Sequence, residues 1–195
     1  MKILGLTGGI GMGKSNAAAV LRRAGLPVFD ADAAVHRLQA RGGAAVAPIA
    51  AAFPGCVRDG AVDRSALRQA VLSDPTALRR LEQIVHPLVR QAEARFLARV
   101  RRAGRPLAVL DIPLLFETGG ERRVDHVVVV SAPLAVQRAR VRRRGKMTAA
   151  QIDAVIGRQM PDWQKRRRAD TVVRTGLSRH HTHCQLHRLI RQLRS

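Results

Sequence analysis

A glycine-rich segment near the amino terminus has the composition of a phosphate-binding loop. Residues 8–15 read GGIGMGKS and match the pattern G-x-x-x-x-G-K-[ST], between an apolar run and a helix-forming segment. Glycines let backbone N–H groups turn inward around a phosphate, and the following helix adds the positive end of its dipole. Lys14 is predicted to contact the β- and γ-phosphates, and Ser15 to offer its hydroxyl to Mg²⁺. The loop does not identify the group that receives the phosphate, because GTPases, motor ATPases and kinases share it.

Carboxylates follow two of the apolar runs. Asp30 and Asp32 come after the second run, where an aspartate could accept the proton of an attacking hydroxyl. We favour Asp32 as this base and Asp30 as the strand end or helix cap, although both could instead be caps. Asp111 ends a later apolar run and is the predicted Mg²⁺ ligand, directly or through water. Glu117 is either an acceptor in the substrate pocket or a helix-start carboxylate.

Basic side chains recur at a spacing of four residues. His86 and Arg90 share one helical face if Pro87 occupies a first turn, and together they could bind an anionic substrate. The plainer interpretation is a helix-start histidine and a surface charge. Arg140 and Arg144 also share a face and are predicted to contact phosphates, while the rest of their arginine run is a solvated face.

The elements that must position these residues alternate between strand and helix. Apolar or β-branched runs predict strands at 2–7, 26–29, 107–110, 124–130 and 172–173. Helical patterns cover 14–24, 133–144 and 148–160, and dominate 30–102, where prolines interrupt them. The predicted fold class is α/β: a doubly wound parallel sheet of about five strands, with an inserted helical subdomain and a helical lid.

Composition restricts the class of protein. The 195 residues carry a net charge of +21, which alone would suggest nucleic acid, but there are only five aromatic residues and no tyrosine for base stacking. No apolar run approaches the roughly 20 residues that cross a bilayer. Two distant cysteines imply no disulfide framework, which fits a cytoplasmic protein. The histidines around Cys184 are expected to belong to a basic terminal helix rather than to a metal site.

Several motifs together resemble the dephospho-CoA kinase family over nearly the whole chain. They are GLTGGIGMGKS, GLPVFDAD, VDRSALRQAVLSDPTALRRLEQIVHPLVR, DIPLLFE and QMPDWQKRRRAD, in that order. The resemblance implies ATP-dependent phosphorylation of the ribose 3′-hydroxyl of dephospho-CoA, with Mg²⁺. It also implies a core at 1–30, 105–140 and 169–195, a CoA-binding insertion at 31–104 and a lid at 141–168. We expect a monomer or a weak homo-oligomer that uses neither membrane nor nucleic acid.

Residue roles also follow from the resemblance. Asp32, Lys14 and Arg140 would be catalytic, and Asp32 would also bind the substrate with His86, Arg90, Leu115 and Glu117. Ser15 and Asp111 would hold the metal. The nucleotide would contact the following residues: Gly8, Gly9, Gly11, Met12, Gly13, Lys14, Ser15, Asn16 and Arg144.

The chain departs from the family pattern at three places. Asn16 and Arg174 replace a threonine and an acidic or amide residue, and the chain ends early in a basic helix. Two other functions stay possible on the same motifs. One is a nucleoside or nucleotide kinase with the same core, and the other is a basic nucleic-acid-binding NTPase.

Overall fold

The computed structural model describes residues 1–72, 74–145 and 147–194, which divide into two compact units. The first unit comprises Met1–Phe29 and Val100–Ser195, and the second comprises Asp30–Arg99. The predicted functional division into core, insertion and lid stays a prediction.

The described residues form strands and helices that alternate through most of the chain. The strands are β1 (Lys2–Thr7), β2 (Val28–Asp30), β3 (Val57–Arg58), β4 (Ala61–Val62), β5 (Leu107–Asp111), β6 (His126–Ser131) and β7 (Thr171–Arg174). The helices are α1 (Lys14–Arg23), α2 (Ala31–Gln39), α3 (Val46–Ala52), α4 (Arg64–Leu72), α5 (Pro75–Arg102), α6 (Leu134–Arg142), α7 (Ala149–Arg158), α8 (Asp162–Arg167) and α9 (Arg179–Arg194). A short 3₁₀ helix spans Gly120–Arg123.

The first unit is built on a five-stranded sheet in the order β2-β5-β1-β6-β7. Strand β1 pairs in parallel with β5 and β6, and β6 pairs in parallel with β7. In this register Leu6 lies opposite Asp111, so β1 and β5 end at the same edge of the sheet. This confirms the predicted parallel sheet of about five strands with flanking helices.

Apolar residues cover both faces of this sheet. On β6, Val128 and Val130 belong to a cluster that includes α1 and α9, whereas Val127 and Val129 pack with Leu115 and its neighbours. Successive side chains of a strand point to opposite faces, so a run of consecutive valines indicates a strand buried on both sides. The continuous apolar runs of the sequence therefore became the central strands.

The second unit has its own core, which includes Ile49, Phe53, Leu67 and Val85. Two of its helices begin at aspartates: Asp63 Oδ1 accepts the N–H of Ala66, before α4, and Asp74 Oδ1 accepts the N–H of Ala77, before α5. A side-chain oxygen at this position pairs a backbone N–H that the helix itself leaves unbonded.

Two predictions about this unit are wrong. Strands β3 and β4 form an antiparallel hairpin in a segment where helical patterns dominate and no strand was predicted. The turn residues of the hairpin, Asp59 (φ 50°) and Gly60 (φ 74°), are both left-handed. This is the Asp-Gly signal of a two-residue hairpin turn. Pro87 does not start a helix but lies inside the 28-residue helix α5. The helix continues because apolar residues on both sides of the proline pack into the core, which outweighs one lost backbone hydrogen bond.

Candidate active site

The loop between β1 and α1 depends on glycine at two positions. Gly11 (φ 75°) and Gly13 (φ 91°) have left-handed backbone conformations. A Cβ on Gly11 would stand 2.7 Å from Val141 Cγ2 and 2.8 Å from the Gln137 carbonyl oxygen, so no other residue fits there without movement. Helix α1 begins at Lys14, directly after Gly13, and presents its amino-terminal N–H groups at the end of the loop. This is the geometry of an anion-binding helix terminus.

Lys14 and Asp111 meet at the carboxyl edge of the sheet. Lys14 Nζ lies 2.7 Å from Asp111 Oδ1, and the Asp111 side chain is only 4% exposed. The sequence predicted a phosphate-binding lysine and a metal-binding aspartate, and the fold brings the two side chains together. Ser15 follows Lys14 in the first turn of α1 and is exposed, and Asn16 is half-buried.

A set of polar side chains braces the phosphate loop from behind. Thr175, which follows β7, donates its hydroxyl to the Met12 carbonyl at 2.6 Å. Gln137 Nε2 donates to the Ile10 carbonyl at 2.8 Å, and the Ile10 N–H donates to Gln159 Oε1 at 3.0 Å. The backbone of the loop is therefore held by α6, by the end of α7 and by the end of β7.

Arg140 lies against this braced loop. Its guanidinium donates to the Thr175 carbonyl at 2.6 Å and to the Thr175 hydroxyl at 3.0 Å, and it reaches the Gly11 carbonyl at 3.5 Å. Five N–H donors leave capacity for a further acceptor, so Arg140 stands beside the loop with part of its hydrogen bonding already used. Arg144 is exposed just after the end of α6.

Glu117 contacts the chain around α8 and does not start a helix. Its Oε1 lies 2.7 Å from Lys165 Nζ and accepts the Met160 N–H at 3.0 Å. Burial acts to raise the pKa of the Glu117 carboxyl, but the contacts with Lys165 and with backbone N–H groups outweigh it, so that pKa lies below its ordinary value. Lys165 is only 1% exposed. The helix-start alternative for Glu117 is wrong, because the 3₁₀ helix begins at Gly120 after the cap Gly119.

Leu115, a predicted substrate-binding residue, is buried. Its side chain has 0% exposure and packs in a core cluster with Phe116, Val127 and Val129. A side chain without accessible surface does not support a direct substrate contact, and the role predicted for Leu115 stays a prediction.

Asp30 and Asp32 have different surroundings at the start of α2. Asp30 Oδ1 accepts the N–H of Ala33 at 2.9 Å and caps the helix, as favoured from the sequence. Asp32 lies in the first turn and is exposed. Its carboxylate is thus presented to solvent rather than to the helix backbone.

His86 and Arg90 lie on one face of α5 and line a common cavity. The cavity has a volume of about 490 Å³, and Arg79, Glu82, Gln83 and Pro87 complete its lining. Because Pro87 has no N–H, the carbonyl of Gln83, four residues earlier, loses its helical donor. The cavity therefore offers an imidazole and guanidinium groups to a polar ligand.

The residues that brace the phosphate loop were not predicted from the sequence. Gln137 and Gln159 stand inside basic helical segments, and a single glutamine there has no motif of its own. Thr175 had a usable signal, because it comes directly after a buried strand, and ligand sites of open α/β sheets lie at such carboxyl ends. Lys165 lies in the predicted lid at 141–168, and the sequence assigned it no separate role.

The described residues contain neither a cluster of metal-binding side chains nor a helix that could span a membrane. No group of three or more His, Cys, Asp or Glu side chains among them could hold a metal ion. No helix in the described part of the chain is long and apolar enough to cross a membrane. At the carboxy terminus, Cys184 Sγ lies 3.4 Å from His180 Nε2 on the same helix.

Comparison with known proteins matches one family. A family model described as Dephospho-CoA kinase matches residues 2–179. The Dephospho-CoA kinase of Paramagnetospirillum magneticum is 68% identical over 166 residues, covering 85% of this chain and 78% of that protein. The Dephospho-CoA kinase of Gluconobacter oxydans is 52% identical over 198 residues, covering 100% and 98% of the two chains.

Solved structures match as well. The protein TT1252 from Thermus thermophilus superposes with a TM-score of 0.87 at 38% identity, covering 98% of this chain and 96% of that chain. The Dephospho-CoA kinase from Campylobacter jejuni (TM-score 0.69, 18% identity, 98% and 97% covered) and the shikimate kinase from Acinetobacter baumannii (0.56, 13%, 99% and 93%) share the fold.

Proposed function

Because this chain belongs to the dephospho-CoA kinase family, an ATP-dependent kinase family, we propose how its residues phosphorylate the 3′-hydroxyl of dephospho-CoA. Neither the nucleoside kinase nor the nucleic-acid-binding alternative is favoured by these relatives. The observation that carries the proposal is the pairing of Lys14 with Asp111 beside a braced glycine loop.

On the ATP side, the proposed groups surround the phosphate loop. Backbone N–H groups from Gly11 to Asn16 and the α1 terminus receive the phosphates, and Lys14 exchanges Asp111 for the β- and γ-phosphates. Gly8 and Gly9, at the start of the loop, are also proposed nucleotide contacts. Arg140, held at the loop by Thr175, offsets charge that develops on the transferred group. Arg144 is the proposed adenine-side residue.

The donor set around Asp111 suits Mg²⁺. A hydroxyl from Ser15 and a buried carboxylate from Asp111 are the hard oxygen ligands that this ion prefers. Bound there, Mg²⁺ would supply positive charge to the β- and γ-phosphate oxygens. Asp111 also keeps Lys14 near the loop before ATP binds.

On the acceptor side, Asp32 is the proposed general base, since it is exposed and not engaged in capping. His86 and Arg90 are the proposed contacts for anionic parts of dephospho-CoA, supported by the cavity that they line. Glu117 is a weaker substrate candidate than the sequence suggested, because its carboxylate pairs with Lys165. We also propose a cytoplasmic monomer or weak homo-oligomer that does not use nucleic acid.

The proposal is tested by coupled ADP release with MgATP and one of four acceptor conditions: dephospho-CoA, adenosine, AMP or none. We expect turnover only with dephospho-CoA, and a product one phosphate heavier by mass spectrometry. Lys14→Ala should abolish this turnover. Equal turnover with adenosine would favour the nucleoside kinase, and stimulation of ATP hydrolysis by nucleic acid would favour the third function.

A further inference from the structure

Both backbone polar groups of Ile10, in the middle of the phosphate loop, are held by glutamine side chains. Gln137, on α6, donates to the Ile10 carbonyl, and Gln159, just after α7, accepts from the Ile10 N–H at 3.0 Å. We call this pair of glutamines the amide clamp. It uses one amide as a donor and the other as an acceptor, so it fixes the orientation of the backbone at Ile10.

Gly9 provides the space in which the amide clamp sits. A Cβ on Gly9 would stand 3.2 Å from Gln159 Oε1 and 3.3 Å from Gln137 Nε2, which is closer than almost all real Cβ contacts. The two amides thus close over a position without a side chain. Any larger residue at position 9 would press against both of them.

An ion pair holds the chain that carries Gln159. The next residue, Met160, donates its N–H to Glu117 Oε1 at 3.0 Å, and Lys165 Nζ lies 2.7 Å from the same oxygen. Lys165 is almost fully buried, and a buried ammonium is destabilising unless its partner stays in place. The segment between α7 and α8 is therefore fixed to Glu117, one residue from the clamp.

We propose that Gln159 is a positioning residue for nucleotide binding and that the Glu117–Lys165 pair acts through it. The amide clamp keeps the Ile10 N–H engaged, and the Met12 N–H donates to the Gly9 carbonyl at 3.1 Å, so the loop is ordered before ATP arrives. A preorganised site loses less conformational entropy when its ligand binds. This inference rests on the proposed ATP site, but it concerns affinity for ATP and not the identity of the acceptor.

The first test is Gln159→Met, which keeps the length of the side chain and removes the amide oxygen. We expect the Kd for ATP, measured by calorimetry without dephospho-CoA, to rise roughly tenfold, the factor expected for one lost hydrogen bond. The KM for ATP should rise similarly, while kcat at saturating ATP and the Tm change little. Gln164→Met, on α8, is the matched control and should leave the Kd unchanged. An unchanged Kd in Gln159→Met would overturn the proposal.

The second test asks whether the ion pair acts through Gln159. Lys165→Met should also raise the Kd for ATP, and adding Gln159→Met to it should raise the Kd by less than about twofold more, because both changes release the same contact. If the increase in Kd of the double variant equals the product of the increases in the two single variants, the coupling is refuted. If Lys165→Met does not fold, Glu117→Gln replaces it. Wild-type protein that binds ATP without phosphorylating dephospho-CoA would overturn the proposed function and leave this test intact.

Discussion

Lys14 has an anionic partner before any phosphate binds. Its ammonium lies 2.7 Å from a carboxylate that is almost fully buried, at the end of the neighbouring strand. A buried carboxylate needs such a partner, because an isolated charge in the interior is strongly destabilising. We infer that Asp111 holds Lys14 near the loop and becomes available to a metal ion when the lysine moves to a phosphate.

The division of roles between the two aspartates at α2 leads to the first prediction. Asp32→Asn should lower kcat by about 10²–10⁴-fold, the usual contribution of a general base, and leave the Kd for ATP unchanged. Asp30→Asn is the matched control, since asparagine caps a helix as well as aspartate does. Steady-state kinetics and calorimetry measure both variants. Lost turnover in Asp30→Asn with normal turnover in Asp32→Asn would reverse the assignment.

At the residue scale, the sequence identified groups that belong to motifs and missed those that support them. Lys14 and Asp111 were predicted because each ends or follows a recognisable element. Gln137 and Gln159 were not, because their function depends on a contact with Ile10 that no local pattern encodes. The burial of the Leu115 side chain was not foreseen for a related reason, because a motif does not reveal which way each side chain points.

The Glu117–Lys165 ion pair connects a loop after β5 to helix α8. Because the pair needs an ionised Glu117 carboxylate, acid should weaken this connection. The pKa of Glu117 is below its ordinary value in the folded protein, so the pair stabilises the fold above about pH 4.5 and is lost as the pH falls below that value. We expect Glu117→Gln to lower the Tm near pH 7, because Lys165 then remains buried without its anion.

The pH dependence separates this effect from a simple packing defect. The difference in Tm between wild type and Glu117→Gln should shrink as the pH is lowered below about 4.5, because the wild-type carboxylate then becomes neutral as well. Thermal melts of both proteins from pH 7 to pH 3 measure this difference. A difference that stays constant over the whole range would show that the charge of Glu117 is not what stabilises the joint.

Helix α5 contains Pro87, a residue that destabilises the interior of a helix. Pro87 removes one backbone hydrogen bond and crowds the carbonyl of Gln83, which in a helix interior costs about 3 kcal/mol. Pro87→Ala should therefore raise the Tm by roughly 2–6 °C, the gain being reduced by the greater freedom of the unfolded chain. Pro75→Ala, at the first residue of α5, is the control and should have little effect. A lower Tm in Pro87→Ala would mean that the proline packs in a way that alanine cannot replace.

Element prediction succeeded where pattern and packing agree. The valine run of β6 and the loop before α1 were located correctly, because a strand buried on both faces and a glycine turn have local signatures. The hairpin of β3 and β4 was missed although Asp59-Gly60 is a hairpin signal, since strands of two residues are too short to show alternation. Pro87 misled the prediction because core contacts of its neighbours decide whether a helix continues.

The whole molecule carries much more positive than negative charge. Thirty-five lysine and arginine residues face 14 acidic residues, and several arginines, such as Arg144 and Arg174, are exposed. Charge of one sign destabilises the compact state through self-repulsion, and it attracts anions of every kind. Binding at the phosphate loop must therefore be distinguished from general attraction to the surface.

Salt should make this distinction measurable. Raising NaCl from about 0.05 M to about 0.5 M should raise the Tm, because screening shortens to a few ångströms and weakens the repulsion among the surface arginines. Sodium sulfate at equal ionic strength should raise it further, partly by exclusion from the surface and partly by binding at the phosphate loop. In Lys14→Ala the chloride effect should persist, while part of the additional sulfate effect is lost. If sulfate raises the Tm equally in both proteins, the phosphate loop does not bind this anion. If NaCl lowers the Tm, charge repulsion does not limit the stability of this fold.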